Sequence, residues 1–181
     1  MTTARTLTRA GLAAALLTMV PAVAVADDDH GRDDPYLLGR AVLPVDTVAT
    51  GPSSGHFVPQ SPRPPITFPI AGQPVEGFSG IVAGRRPGEY LAMPDNGYGG
   101  KATSPDFLIR AYYVTPDFKT AKGGTGEVTV GDGVDPITTG DFIQFSDPDG
   151  HFPYRLVRSD RLLTGGDIDP ESIQRDHHGD L

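Results

Sequence analysis

Glycine and proline interrupt this chain every few residues, with 23 Gly and 18 Pro in 181 positions. Gly weakens a helix through backbone entropy, and Pro through its missing N–H and its ring. The apolar runs between these breaks are short and rich in β-branched and aromatic side chains, which is the pattern of short strands joined by turns. No amphipathic helix is expected after residue 26, and the fold class read from this spacing is all-β.

The clearest element is a hairpin. Phe78–Ala83 and Tyr90–Met93 are apolar runs joined by the turn string Gly84-Arg85-Arg86-Pro87-Gly88. Tyr36–Val48 reads as one strand with an edge or bulge at Pro44. Phe107–Thr115 is apolar on both faces and is expected to be covered on both sides. Glu127–Val130 and Phe142–Phe145 read as further short strands, and Asp132–Asp135 and Asp147–Gly150 as turns. Thr50–Pro74, with prolines at 52, 59, 62, 64, 65, 69 and 74, is an extended connector. Phe57, Ile66, Phe68 and Ile70 would lay it over a surface.

The N-terminus has the layout of an export signal. Arg5 and Arg9 form the positive region, Ala10–Val20 the apolar region, and Ala24-Val25-Ala26 a small-residue cleavage site. Cleavage after Ala26 and secretion follow, with no stable membrane insertion afterwards. Residues 27–35 then form a disordered acidic linker, and 36–181 the domain. Removing Arg5 and Arg9, the two charges of the signal, takes the net charge from −8 to −10. Such a chain does not suit nucleic acid as a partner but tolerates divalent cations. It has no Cys, so no disulfide staples it.

Two stretches carry chemistry. Pro94-Asp95-Asn96-Gly97-Tyr98-Gly99-Gly100-Lys101 is a polar, glycine-rich loop at a strand end, where a rigid scaffold delivers Asp, Asn and Lys together. Asp95-Asn96-Gly97 is also a strong turn sequence, and both readings stay open. Further on, Asp167, Asp169 and Glu171 alternate, so in extended chain they share a side. Hard oxygen ligands at that density suit Ca²⁺, although a solvated acidic loop has the same composition. It is not an EF-hand loop, because Ser172 stands in place of the obligatory Gly and His178 in place of the final Glu. Gly77-Phe78-Ser79-Gly80-Ile81 lacks the last Gly of a nucleophile elbow. His151, His177 and His178 lie in polar turns, and in extended chain His177 and His178 point apart.

EGFSGI at 76–81, YLAMPDNGYG from Tyr90, DFLIR from Asp106, YYVTPDF from Tyr112 and RLLTGGDIDPES from Arg161 occur in order. Together they resemble the phytase-like family with esterase-like activity, secreted bacterial β-propeller proteins, over about Leu38 to Leu181. The resemblance implies a partial β-propeller, about one blade plus the start of the next. Ser79–Leu91 and Glu171–Leu181 read as successive starts of a hairpin, and the chain is then an N-terminal portion of a larger propeller, incomplete at its C-terminus. It also implies hydrolysis of a small-molecule phosphate or carboxylic ester, with Ca²⁺. In that frame Asp95, Asn96 and Glu171 position an ion or attacking water, and Asp167, Asp169, Glu171 and Glu76 hold metal. Lys101 and Arg110, with Arg161 besides, hold substrate phosphate. The alternatives are a non-catalytic secreted propeller that binds a ligand, or an inactive fragment.

Overall fold

A computed structural model describes residues 37–59 and 66–181. The export signal, the acidic run 27–35 and Tyr36 lie outside the described residues. Nine short strands follow in order: β1 (Gly39–Arg40), β2 (Val48–Ala49), β3 (Gln73–Pro74), β4 (Phe78–Ala83), β5 (Tyr90–Pro94), β6 (Arg110–Pro116), β7 (Lys119–Thr120), β8 (Val128–Val130) and β9 (Phe142–Gln144). The described residues contain no helix, and the chain is all-β.

The main sheet runs β4-β5-β6-β8, with β9 also on β6, and every pairing is antiparallel. Pairs Val114–Val130 and Tyr112–Phe142 show how β8 and β9 share one edge of β6 end to end. The sheet therefore has four rows, the last made of two short strands. Two-stranded pairs β1-β7 and β2-β3 stand beside it, and the sheets do not close on themselves.

Side-chain alternation sets two cores, one on each face of the sheet. Ala92, Tyr112 and Val114 join Ala49, Val75, Val130, Ile137 and Phe142 on one face. Leu91, Met93 and Ala111 meet Ile173 on the other. Strand β6 is thus covered on both sides, as its apolar pattern predicts. Tyr112, Leu91 and Ile109 are fully buried, and each such side chain contributes roughly 1.5–3 kcal/mol of transfer free energy. Phe107, Ile109, Leu156 and Leu163 form a third cluster beyond the start of β6.

One expectation needs correction. Tyr36–Val48 is not one strand: after β1 the chain turns at Pro44, whose carbonyl accepts from the Thr47 N–H at 3.1 Å and its hydroxyl at 2.6 Å. Glu171–Leu181, read as the start of the next hairpin, forms a turn with no regular strand before it. Ile173 seats against Gly80 of β4, where a Cβ would come within 2.8 Å of the Ile173 nitrogen. The chain then closes in a turn, in which the Asp176 carboxylate accepts from the N–H groups of His178 and Asp180.

Candidate functional site

Antiparallel pairing of β4 with β5 returns the chain to its starting end, so Glu76 and Asp95, nineteen positions apart in the numbering, become neighbours. The Asp95 N–H donates to the Gly77 carbonyl at 3.1 Å. Gly77 has φ 64°, and a Cβ there would lie 3.5 Å from Asp95 Oδ1. Glu76 is half-buried, and its carboxyl is pushed above its ordinary range, first by burial and then by the negative charge of Asp95.

The loop after β5 is held by its own polar groups. Asp95 Oδ1 accepts from the Gly97 N–H at 2.7 Å, closing the turn that Asp-Asn-Gly predicts. Gly97 has φ 88°, and a Cβ there would come within 2.4 Å of the Phe107 ring. Asn96 is 5% exposed, and its side-chain oxygen is buried with no hydrogen-bond partner. A buried acceptor left unpaired costs about 1–3 kcal/mol, so this oxygen calls for a partner that the neighbouring side chains do not supply. Tyr98, which the sequence reading passed over, lies between the rings of Phe68 and Phe107 at centroid distances of 5.4 Å. Its hydroxyl shares a 2.7 Å hydrogen bond with Ser54 Oγ. Burial pushes this phenol well above its usual range, the Ser54 bond opposes the shift, and the charges of Glu76 and Asp106 add to it. The one sequence signal was an aromatic set between glycines in an otherwise polar loop.

The two stretches singled out in the sequence do meet. Gly165 presses on the loop so closely that a Cβ would stand 2.0 Å from the Asn96 carbonyl oxygen. Lys101, exposed, donates from Nζ to the Asp167 carbonyl at 2.9 Å. The carboxylates do not follow. Residues 165–167 form a turn, so the i, i+2, i+4 rule of extended chain does not apply. Asp167 is 3% exposed, and its carboxylate accepts from the Val157 N–H at 2.7 Å, the Thr164 N–H at 3.0 Å and the Thr164 hydroxyl at 2.8 Å. Asp169 and Glu171 are exposed. Among the described residues, no three His, Cys, Asp or Glu side chains stand close enough to hold a metal ion. Asp167, Asp169 and Glu171 therefore do not form a shared ligand set.

Two of the cations are engaged elsewhere. Arg110 is buried in β6, where it donates to Gln144 Oε1 at 2.9 Å and the Thr50 carbonyl at 2.8 Å and stacks 4.0 Å above the Phe142 ring. That is a structural cation, not a phosphate clamp. Arg161 grips both the carboxylate and the carbonyl of Asp147. Burial pushes the Asp147 carboxyl up, but N–H donors from His151 and Phe152 and the Arg161 guanidinium outweigh it and hold it at about 2. His177 and His178 do not point apart: their rings lie 3.8 Å apart between centroids, because the chain there is a turn.

A cation with hard-oxygen preference fits one part of this arrangement. Glu76, Asp95 and Asn96, whose Oδ1 is unpaired, carry oxygen donors at one strand end, where burial and then the charge of Asp95 raise the Glu76 carboxyl. Among the described residues no helix is long and apolar enough to cross a membrane. No curated protein and no solved structure matches the chain. The family model described as phytase-like, esterase-like activity of phytase, matches residues 73–181, more than half of the chain.

Proposed function

The chain belongs to the phytase-like family, and from that premise we propose that it hydrolyses phosphate or other esters at the β4–β5 strand end, with Ca²⁺ held by Glu76, Asp95 and Asn96. The observation that carries this reading is the buried Asn96 Oδ1 without a partner, on the residue that follows Asp95 of a carboxylate pair in which Glu76 resists ionisation. When bound, such a cation polarises an ester oxygen and makes attached water easier to ionise. Asp95, fixed by the Gly97 N–H, accepts a hydrogen bond from the attacking water and takes its proton. Lys101, on the same loop, supplies positive charge for a substrate phosphate. Glu171 and Asp169, exposed just after the turn that Lys101 ties to the loop, are outer carboxylates that attract the cation. The four-row antiparallel sheet supports reading this unit as a propeller blade, and the signal-like N-terminus supports secretion with cleavage after Ala26.

The test is calcium titration by calorimetry, with hydrolysis of a phosphomonoester, a phosphodiester and a carboxylic ester followed in parallel. The expected result is calcium-dependent turnover that Glu76→Gln and Asp95→Asn each reduce by about 10²-fold or more. Calcium binding left intact in both variants would remove the site. Turnover of no ester in the panel with calcium present would remove the activity.

A further inference from the structure

A second catalytic arrangement stands on the connector before β3, and Ser53 and His56 within it precede the family match. Ser53 Oγ lies 3.4 Å from His56 Nε2, and His56 Nδ1 lies 2.8 Å from Asp106 Oδ2. Each ring nitrogen therefore faces the partner that a nucleophilic serine relay requires. The carboxylate holds the Nδ1 proton and leaves Nε2 free to accept from the hydroxyl. The 3.4 Å separation is the loose spacing common before substrate binds. Asp106 Oδ2 also accepts from the His56 N–H at 2.9 Å, so backbone and ring are oriented by one oxygen. Its other oxygen, Oδ1, is buried and unpaired. The carboxylate is mostly covered at 17% exposure, while the imidazole is 50% exposed and open to a substrate.

The segments that carry the three groups are clamped together from below. Gln73, fully buried, donates from Nε2 to the Pro52 carbonyl at 2.9 Å and to the Asp106 carbonyl at 3.1 Å, and its Oε1 accepts from the Leu108 N–H at 2.6 Å. One amide thus sets the residue before Ser53 against Asp106 itself. Ser54, also fully buried, donates to the Gly72 carbonyl at 2.8 Å. A loop held this way is preorganised on a rigid base, as a relay needs.

We infer that Ser53, His56 and Asp106 form a metal-independent nucleophilic site that cleaves carboxylic esters, separate from the strand-end site of Glu76 and Asp95. The Ser53 oxygen bonds to the ester carbonyl carbon while His56 Nε2 takes the hydroxyl proton. Collapse of the tetrahedral adduct breaks the carbon–oxygen bond to the alcohol, which leaves with that proton. Water then attacks the acyl-serine and gives a proton to His56. Cleavage releases the carboxylic acid and returns the proton to Ser53.

The experiment treats the full chain with a fluorophosphonate in the presence of a calcium chelator, maps the adduct by peptide mass, and follows p-nitrophenyl acetate turnover. The inference expects an adduct on Ser53. It also expects chelator-resistant turnover that falls on the order of a hundredfold or more in Ser53→Ala and in His56→Gln. Ser53 is exposed and its hydroxyl bonds to His56, so its removal leaves the fold intact. An adduct on another residue, no adduct, or equal turnover in Ser53→Ala overturns the inference. The strand-end proposal is not touched by any of these results, because its own readout is calcium-dependent.

Discussion

Two acidic regions of this molecule lie within reach of one loop and behave oppositely. The carboxylate of Asp167, like those of Asp147 and Glu89, is met by donors. Asp167 takes three hydrogen bonds. Glu89, in the hairpin turn and 4% exposed, takes the Arg85 N–H at 2.7 Å and contacts from both the Arg85 and Arg86 guanidinium groups. At the strand end, Glu76 and Asp95 face each other without a cation among the described residues, and Asn96 Oδ1 has no donor at all. Satisfied carboxylates stabilise a fold. Unsatisfied ones cost stability and persist where a ligand supplies the missing partner. The difference teaches which acids are structural and which are open to chemistry, and sequence composition alone treats them as equals.

The largest expected effect breaks the satisfied side. Asp167→Ala strips acceptors from two backbone N–H groups and a hydroxyl in a buried turn, and a loss of about 3 kcal/mol is expected in urea unfolding. A loss under about 1 kcal/mol would mean that water replaces the carboxylate and that the turn is not built on it. Asp95→Asn is the matching change on the other side. It keeps an oxygen for the Gly97 N–H, so unfolding is expected to change by less than about 0.5 kcal/mol while calcium binding falls.

Glu89→Ala comes next, at about 2 kcal/mol, because the Arg85 N–H and the guanidinium groups lose their acceptor. The pH dependence sharpens the contrast. The hydrogen bonds of Arg85, opposed by burial, hold the Glu89 carboxyl at about 2 against an ordinary 4.5. A folded-state pKa below the unfolded one adds stability above the unfolded value and loses it as pH falls. The Glu89 contribution is therefore complete above pH 4.5 and drains away between 4.5 and about 2. Acid titration of unfolding in parent and Glu89→Ala should show the two curves converging across that window.

Much of the fold was legible because local signals agreed with it. Phe78–Ala83 and Tyr90–Met93 appear as β4 and β5 within one residue, since the turn string between them contains the needed glycines. Phe107–Thr115 was legible as a doubly covered strand, although regular pairing begins only at Arg110. The proposed site shows in the sequence only as separate residues. Asp95 and Asn96 stand out by their loop, and Glu76 by its motif. The pairing of Glu76 with Asp95 needed the hairpin register. Asp167 misled because alternation presumes extended chain, and Gly165-Gly166 turns it. Arg110 misled because its partners, Thr50 and Gln144, lie 60 and 34 positions away. Ser53, His56 and Asp106 were invisible for the same reason: the 50-position separation of His56 and Asp106 leaves no local pattern.

The smallest expected effect has the opposite sign and tests the comparison most directly. Burial, then Asp95, raises the Glu76 carboxyl above 4.5. A folded-state pKa above the unfolded one means that ionised Glu76 opposes folding, and the penalty is fully present above the raised value and vanishes below 4.5. Glu76→Gln removes a charge that nothing offsets, so without calcium the variant should be more stable than the parent at neutral pH. The advantage should shrink as pH falls through the raised value toward 4.5. Saturating calcium should reverse the order, because binding adds stability only to the chain that holds the ion. Thermal unfolding of parent and variant at pH 7 and pH 4, with calcium and with chelator, reads all four corners. If Glu76→Gln is less stable at pH 7 without calcium, Glu76 belongs with Asp167 and Glu89 as a structural acid, and the strand end loses its claim to be the open site.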